Sequence, residues 1–99
     1  MGSGTKRVFS GVVTGTGALL SVKTVGFQPQ RVELHNLTSA DEGTWVAGMA
    51  DGDVLKRVAA GTGSIVNTNG VTPLADGFSL GADTDLNAAG EDIAYTCYE

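Results

Sequence analysis

The sequence predicts an antiparallel all-β fold of seven to eight short strands, arranged as a β-sandwich with a jelly-roll as one form of it, or as a small barrel. Two observations predict this fold class. Apolar residues recur with a period near two in short runs, each bounded by glycine, asparagine or aspartate, as is typical of strands. The 99 residues also include 15 glycines, which favours many turns because glycine inside a helix costs about 1 kcal/mol relative to alanine.

Eight segments have the composition and alternation of strands. They cover residues 6–13, 18–24, 30–37, 44–49, 53–59, 64–67, 77–81 and 92–98. In the third segment, Val32 and Leu34 share one face, and the polar and charged side chains between and around them share the other. This alternation predicts a strand with one face buried and one face in solvent.

Two turn sequences predict how neighbouring strands connect. Thr14–Gly17 is a glycine-rich, hairpin-like break between the first two strands. Asp51-Gly52 is a strong signal for a tight hairpin turn, so residues 45–50 and 53–59 are predicted to pair antiparallel. Both faces of the strand that carries Trp45 are apolar enough to point inward, so the pattern leaves the orientation of that side chain open.

The chain is predicted to form one β-sandwich domain over residues 8–99, preceded by a flexible glycine- and serine-containing arm over residues 1–7. A domain of this size buries only roughly 60–65% of the surface of its unfolded chain, so its core is thin. Disulfides, a structural metal or subunit association usually support such a core. Cys97 is the only cysteine and His35 the only histidine, which leaves subunit association as the expected support.

Charge and hydropathy reduce the expected range of partners. Eleven acidic and six basic residues give a net charge of −5, which opposes binding to phosphate backbones and anionic lipid surfaces. No apolar run approaches the length of about 20 residues that a membrane-spanning helix needs. No signal-peptide core follows the N-terminus, so we expect folding in a cytoplasm, with neither nucleic acid nor a membrane as partner.

No residue pattern predicts a catalytic, cofactor or metal site. Glu33 and His35 share a strand face as an acid–base pair would, yet no nucleophile or orienting group can be assigned to them, which favours exposed strand residues. Residues 83–87 resemble the first half of a calcium-binding loop, but Ala88 and Ala94 stand where such a loop needs glycine and a bidentate glutamate. We therefore expect a solvated acidic connection, and no enzyme activity.

Three aromatic residues are candidates for an interface. Trp45, Tyr95 and Tyr98 combine a large contact area with a polar tip, as residues at partner-binding and sugar-stacking surfaces do. The same side chains are equally suited to a core. The sequence therefore leaves two alternatives open for these three residues, an interface and the core.

The stretch 25–38 resembles a pattern of small virion proteins of tailed bacteriophages. In those proteins a Gly-Phe-x-Pro turn, here Gly26–Pro29, leads into a strand of the type found here at Arg31–Asn36. The resemblance continues downstream to the C-terminus, with matching features at Trp45, residues 70–73, residues 76–81 and residues 93–98. It therefore covers most of the chain from about Val25 onward.

The resemblance implies a β-sandwich protein that is present in many copies on a phage particle. The expected role is that of a capsid decoration, or cement, protein that stabilises the head by bridging neighbouring subunits of the major capsid protein. Such proteins often form homotrimers, which would supply the subunit association that a thin core needs. A tail or fibre component is the alternative within the virion, and a carbohydrate-binding module that contacts host glycans is the alternative of another class.

Overall fold

The computed structural model describes residues 6–99, which form eight β-strands and no helix. The strands are β1 (Val8–Thr14), β2 (Leu20–Val22), β3 (Arg31–Asn36), β4 (Glu42–Val46), β5 (Asp53–Arg57), β6 (Gly63–Leu74), β7 (Gly77–Leu80) and β8 (Asp92–Tyr98). All eight belong to one sheet in the order β1-β8-β3-β4-β5-β6-β7-β2, and every neighbouring pair is antiparallel. The predicted antiparallel all-β fold is confirmed, and the strands form one curled sheet.

Within residues 6–99 there is no helix long and apolar enough to cross a membrane.

The inner face of the curled sheet encloses the hydrophobic core. Phe78 on β7 packs edge-on against Tyr95 on β8, with ring centroids 5.4 Å apart. Four strands separate β7 from β8 in the sheet, so this contact brings the two halves of the sheet together across the core. Each fully buried aliphatic or aromatic side chain contributes about 1.5–3 kcal/mol to stability. The core consists of Val22, Val25, Phe27, Val32, Leu34, Trp45, Val54, Val71, Phe78, Leu80, Leu86, Ile93, Tyr95 and Cys97.

Alternation of buried and exposed side chains follows the sequence pattern in the central strands. Val32 and Leu34 on β3 are buried, whereas the side chains between them point to solvent or are partly exposed. β8 alternates in the same way along its whole length. The predicted half-buried strand at residues 30–37 is confirmed.

The pairing of β4 with β5 differs from the prediction. Thr44 pairs with Leu55, whereas a two-residue turn at Asp51-Gly52 would place the strands in another register. The predicted pairing of residues 45–50 with residues 53–59 is therefore wrong in register, although the two strands are antiparallel neighbours as expected.

The connection between these strands covers residues 47–52 and is fixed by a contact to the core. The N–H of Asp53 donates to the carbonyl oxygen of Ala50 at 3.1 Å, so Asp51-Gly52 does form the centre of a turn. The indole N–H of Trp45 donates to the same carbonyl oxygen at 3.2 Å. The preference of Asp-Gly for a tight hairpin turn depends only on the two central residues of the turn. It takes no account of a hydrogen bond from a buried indole elsewhere in the strand.

The break at Thr14–Gly17 does not join paired strands. β1 pairs with β8 and β2 pairs with β7, so the two strands lie at opposite edges of the sheet. The N–H of Gly15 donates to the carbonyl oxygen of Glu91 at 2.8 Å, and the N–H of Gly17 donates to that of Asn87 at 2.9 Å. These bonds attach the break to a distant loop, and the hairpin-like prediction is therefore wrong.

β6 is much longer than predicted and turns the sheet. Its first part pairs with β5, ending at Val66 opposite Val54, and its second part pairs with β7. Val71 then pairs with Asp53, so residues 67–70 are extra residues in the ladder. An insertion of this kind bends the strand and increases its local twist, which accounts for the curl at this point.

The predicted N-terminal arm falls mostly on residues 1–5, which lie outside the described residues. Arg7, just before β1, is joined to the C-terminal Glu99 by an ion pair of 2.6 Å between Nη2 and Oε2. Its guanidinium lies 5.1 Å from the centroid of the Phe27 ring. The hydrogen bonds and the charge of Arg7 lower the pKa of Glu99 to about 2.

Candidate interaction surface

The solvent side of β1, β8, β3, β4 and β5 forms a broad surface, which we call the outer face. Residues that pair across the strands share this side, since directly opposite residues in a sheet point the same way. One row across it consists of Ser10, Thr96, Glu33, Thr44, Leu55 and Ile65, the last from β6. The next row consists of Val12, Ala94, His35, Glu42, Arg57 and Gly63.

Three side chains at one end of the outer face hold one another in place. The hydroxyl of Tyr98 donates to Oε1 of Glu33 at 2.7 Å, and Nη2 of Arg31 lies 2.8 Å from Oε2 of the same carboxylate. The guanidinium of Arg31 also lies 5.8 Å from the centroid of the Tyr98 ring. The hydrogen bond from Tyr98, together with Arg31, lowers the pKa of Glu33, and the same hydrogen bond raises the pKa of Tyr98.

A second polar group lies at the other end of the outer face. Nδ1 of His35 and Nε of Arg57 each lie 3.7 Å from an oxygen of Glu42. A depression of about 190 Å³ adjoins it, lined by residues of β4, β5 and β6. Glu33 and His35, which the sequence placed on one face, therefore make their direct polar contacts with different residues.

Large apolar side chains are exposed beside these polar groups. Leu55 is 44% exposed and Ile65 is 58% exposed on neighbouring strands. Val46 is also exposed on β4, and Val8 and Val12 are each 58% exposed on β1. Exposed apolar side chains and ordered polar groups therefore lie side by side on the outer face, which makes it the candidate interaction surface.

The three predicted interface residues lie in different environments. Trp45 and Tyr95 are 3% and 5% exposed, so both belong to the core. A Cβ atom at Gly11 would lie 2.6 Å from the hydroxyl oxygen of Tyr95, which shows how closely the tyrosine fills its site. Tyr98 alone of the three lies on the outer face. The sequence contained no signal for the burial of Trp45, since both faces of its strand are apolar.

The acidic loop that resembles half a calcium site is bound by a lysine. Nζ of Lys56 lies 3.1 Å from Oδ2 of Asp83 and 2.8 Å from Oδ2 of Asp85. Burial lowers the pKa of Lys56, but the hydrogen bonds to Asp85 and Asp83 and their charges raise it above its ordinary value. The amide of Asn87 points inward and donates to the carbonyl oxygen of Gly81 at 2.9 Å. In the described part of the chain, no three His, Cys, Asp or Glu residues are placed to hold a metal ion.

Sequence reasoning did not identify the edge of β1 or the network around Glu33 as parts of a surface. A signal for the first was present, because Val8–Thr14 contains no charged residue and no proline. The second required the pairing of β3 with β8, which brings Arg31 opposite Tyr98. Cys97 is buried, and burial raises its pKa to about 12, so this thiol is a poor nucleophile at neutral pH.

The comparisons with known proteins give no family for this fold and surface. No family model and no curated protein matches the sequence. No solved structure matches the chain.

Proposed function

We propose that this chain is a virion structural protein of a tailed bacteriophage. Its proposed role is that of a capsid decoration protein, which stabilises the head by bridging neighbouring copies of the major capsid protein. The resemblance over residues 25–38 and the segments downstream supports the phage assignment. The observation that carries the contact function is the outer face, with exposed Leu55 and Ile65 beside an ordered group of polar side chains.

The composition of the outer face favours binding to another protein. Tyrosine and arginine are enriched at the energetically important positions of interfaces. Tyr98 and Arg31 are already held by Glu33, so less side-chain freedom would be lost when a partner binds. This arrangement supports a preformed docking surface.

The turn that carries the resemblance anchors the core. Gly26 has a φ of +88°, a conformation that favours glycine. Phe27, which follows it, is buried in the core, and Pro29 is buried as well. Because this turn inserts an aromatic ring into the core directly before a central strand, it supports a fold shared with the virion proteins that the sequence resembles.

The proposal includes a sandwich-like arrangement of the strands, with a jelly-roll as one form of it. The contact between Phe78 and Tyr95 supports two layers that face each other across the core. The extra residues 67–70 in β6 support a corner at which the chain passes from one layer to the other.

The proposed role requires contacts with capsid protein and with further copies of the chain. It requires no catalysis, no cofactor, no nucleic acid and no membrane, and the protein would act in the virion after synthesis in the host cytoplasm. A tail or fibre position remains the alternative within the same class. The glycan-binding alternative is less favoured, because Trp45 is buried and Arg31 lies over the ring of Tyr98.

The test is binding of the purified protein to heads of the phage that encodes it, after decoration proteins have been removed from those heads. We expect saturable co-sedimentation at a fixed number of copies per head, together with a higher melting temperature of the heads. The variants Leu55→Glu and Ile65→Glu should weaken binding, because each places a charge in the proposed interface.

Leu19→Glu is the matched control, because Leu19 is 70% exposed directly before β2, which lies at the other end of the sheet from β1, β8 and β3. It should bind as the unchanged protein does. Failure of the folded protein to sediment with the heads would overturn the decoration role. Equal binding by all variants would exclude the outer face as the docking surface.

A further inference from the structure

We propose that β1 binds a second copy of this chain edge to edge, as a two-fold antiparallel strand pair that joins two sheets into one. This inference concerns self-association and does not depend on the proposed role in the virion. It rests on the backbone, the side chains and the charges of β1.

Among residues 6–99, one edge of β1 has backbone groups without a hydrogen-bond partner. β1 lies at one end of the sheet, and within this range it pairs with β8 alone. The carbonyl oxygen of Arg7 accepts the N–H of Glu99 at 2.9 Å, and the N–H of Gly15 donates to Glu91 at 2.8 Å. Backbone groups alternate in direction along an antiparallel strand, so the odd-numbered residues are bonded to β8. The residues between them point their N–H and C=O groups to the free edge: Val8, Ser10, Val12 and Thr14.

This edge lacks the features that usually prevent association between sheets. Such features are charged side chains, prolines, bulges or very short strands. β1 has seven residues with no charge and no proline, and its pairing with β8 is regular along its length. The opposite edge, β2, has only three residues. The exposed Val8 and Val12 add apolar surface to the longer edge.

The length of β1 makes it complementary to itself. The backbone N–H and C=O groups of its first and last residues, Val8 and Thr14, both point to the free edge. A full antiparallel overlap therefore places Val8 opposite Thr14 of the second copy, and Ser10 opposite Val12 of the second copy, with the two-fold axis at Gly11. Each of these opposed pairs exchanges two backbone hydrogen bonds, which gives about eight across the interface.

The charges that flank β1 favour the same orientation. Lys6 precedes the strand, and the exposed Asp92 lies opposite Thr14 at its other end. Arg7, at the same end as Lys6, is already paired with Glu99. An antiparallel pair brings Lys6 of one copy toward Asp92 of the other at both sides of the axis. Because β1 itself is uncharged, the net charge of −5 produces no direct repulsion within the strand pair. The self-complementary register and this charge arrangement together favour a second copy of this chain as the occupant.

A two-fold pair predicts a dimer, whereas the resemblance to decoration proteins implies a trimer. Light scattering across a range of protein concentrations should give twice the chain mass of 10.1 kDa. Val12→Pro should shift the mass to that of one chain and raise the dissociation constant by about tenfold or more. Because the pair is two-fold symmetric, the backbone hydrogen bond that the proline removes is lost at both copies. The substitution leaves the ladder to β8 intact, since the N–H of Val12 points to the free edge.

Val12→Thr is the matched control, because it keeps the N–H and the branched side chain, and it should remain a dimer. Near-ultraviolet circular dichroism checks that both variants are folded. A stable trimer, a monomer at every concentration, or a dimer unaffected by Val12→Pro in a folded protein would overturn the inference.

A crosslinking experiment tests the register without relying on proline. The double variant Val8→Cys with Thr14→Cys should form disulfide-linked dimers on mild oxidation, because the two positions meet across the axis. Each single variant should form far fewer, because its cysteine would lie opposite a residue other than cysteine. Equal crosslinking by the single and double variants would contradict this register. Binding to phage heads is measured separately, so failure of the dimer and failure of the proposed function are distinguishable.

Discussion

Asn36 is buried at the end of β3, and its side chain joins the strand to a distant loop. It is 1% exposed. Its amide nitrogen donates to the carbonyl oxygen of Asp85 and to Oε1 of Glu91, both at 2.7 Å. Its oxygen accepts the N–H groups of Thr38 and Ser39 at 2.8 and 3.1 Å. All the hydrogen-bonding capacity of one buried amide is thereby used.

The variant Asn36→Asp should lower the free energy of unfolding by about 2–4 kcal/mol. The new carboxylate cannot donate a hydrogen bond to the backbone carbonyl oxygen of Asp85, and it would lie beside the carboxylate of Glu91. Urea unfolding followed by Trp45 fluorescence measures the change. Thr38→Ala, at an exposed position beside it, should change stability by less than about 0.5 kcal/mol. A similar small change for Asn36→Asp would contradict the role of this amide.

The contact between Arg7 and Glu99 should make the stability of the protein depend on pH. The pKa of Glu99 is about 2, below its ordinary value of 4.5. A carboxyl group whose pKa is lower in the folded state adds stability that is present above the ordinary value and is lost as the pH falls toward the lower one. The contribution of Glu99 should therefore disappear between about pH 4.5 and pH 2.

Titration of the Glu99 side-chain carboxyl carbon by NMR measures this pKa directly. In the variant Arg7→Gln the pKa should return toward 4.5, because the hydrogen bonds and the charge that lower it are removed. Lys6→Gln is the control, since Lys6 makes the smallest contribution to the shift. An ordinary pKa in the unchanged protein would show that the ion pair does not form in solution.

Strand glycines allow close backbone contacts between particular elements. A Cβ atom at Gly77, on β7, would overlap the carbonyl oxygen of Val22, on β2. Gly63, on β6, has the nearest atoms of Arg57 at 3.8 Å and therefore has room for a methyl group. The two positions thus differ in space although both lie in strands.

Gly77→Ala should destabilise the protein by about 2–3 kcal/mol, because the backbone of β2 must move to accept the methyl group. Gly63→Ala should change the free energy of unfolding by less than about 0.5 kcal/mol. Thermal or urea unfolding of the two variants gives the comparison. Equal effects would contradict the tight packing of β2 against β7.

Lys56 connects the hairpin of β5 and β6 to the acidic loop at residues 83–86. Asp83 is almost completely buried, and its Oδ1 also accepts the N–H groups of Asp85 and Leu86 at 2.9 Å. Removal of the lysine would leave that carboxylate buried without an opposite charge. This ion-paired group of Lys56, Asp83 and Asp85, which we call the clamp, therefore joins β5 to the acidic loop.

Lys56→Met should lower the free energy of unfolding by about 2–4 kcal/mol. The double variant Lys56→Met with Asp83→Asn should lose less than the sum of its single changes, with a coupling of about 1–3 kcal/mol. Added calcium should not raise the melting temperature of the unchanged protein, because the ammonium group of Lys56 already holds both carboxylates. Additive effects in the double variant would contradict the clamp.

The first and last strands of the described chain pair with each other at one edge of the sheet. β8, the last strand in the chain, lies between β1 and β3 in the sheet. β1 therefore has no neighbouring strand until the final residues are in place. Three of the seven strand pairings, those of β1 with β8, β3 with β8 and β2 with β7, join strands that are distant in the chain. Such pairings form slowly because long loops must close before the contacts form.

We expect refolding on a timescale of milliseconds to seconds, as is usual for sheets with non-local pairing. Stopped-flow fluorescence of Trp45 reports it, since that side chain becomes buried on folding. A chain that ends at Gly90 should show no cooperative unfolding, because it lacks β8 and the buried Ile93 and Tyr95. Microsecond refolding or a cooperative transition of the shortened chain would contradict this topology.

The sequence by itself determined the fold class, the positions of most strands and the buried face of the central ones. Alternation at Val32 and Leu34 is a local property, and it follows from burying one side of a strand. Residues 92–98 were predicted with the bounds of β8 for the same reason. Tyr98 was also identified as a candidate for the surface, although its partners were not.

Only the tertiary structure decided which strands pair, in which register, and which side chains meet. The burial of Trp45, the free edge of β1 and the contact between Lys56 and Asp83 all depend on the order of strands in the sheet. A turn sequence such as Asp51-Gly52 favours a local reversal by a small energy, whereas the core as a whole contributes far more. The packing that buries all the core side chains together therefore determines pairing and register, and no local sequence pattern contains that information.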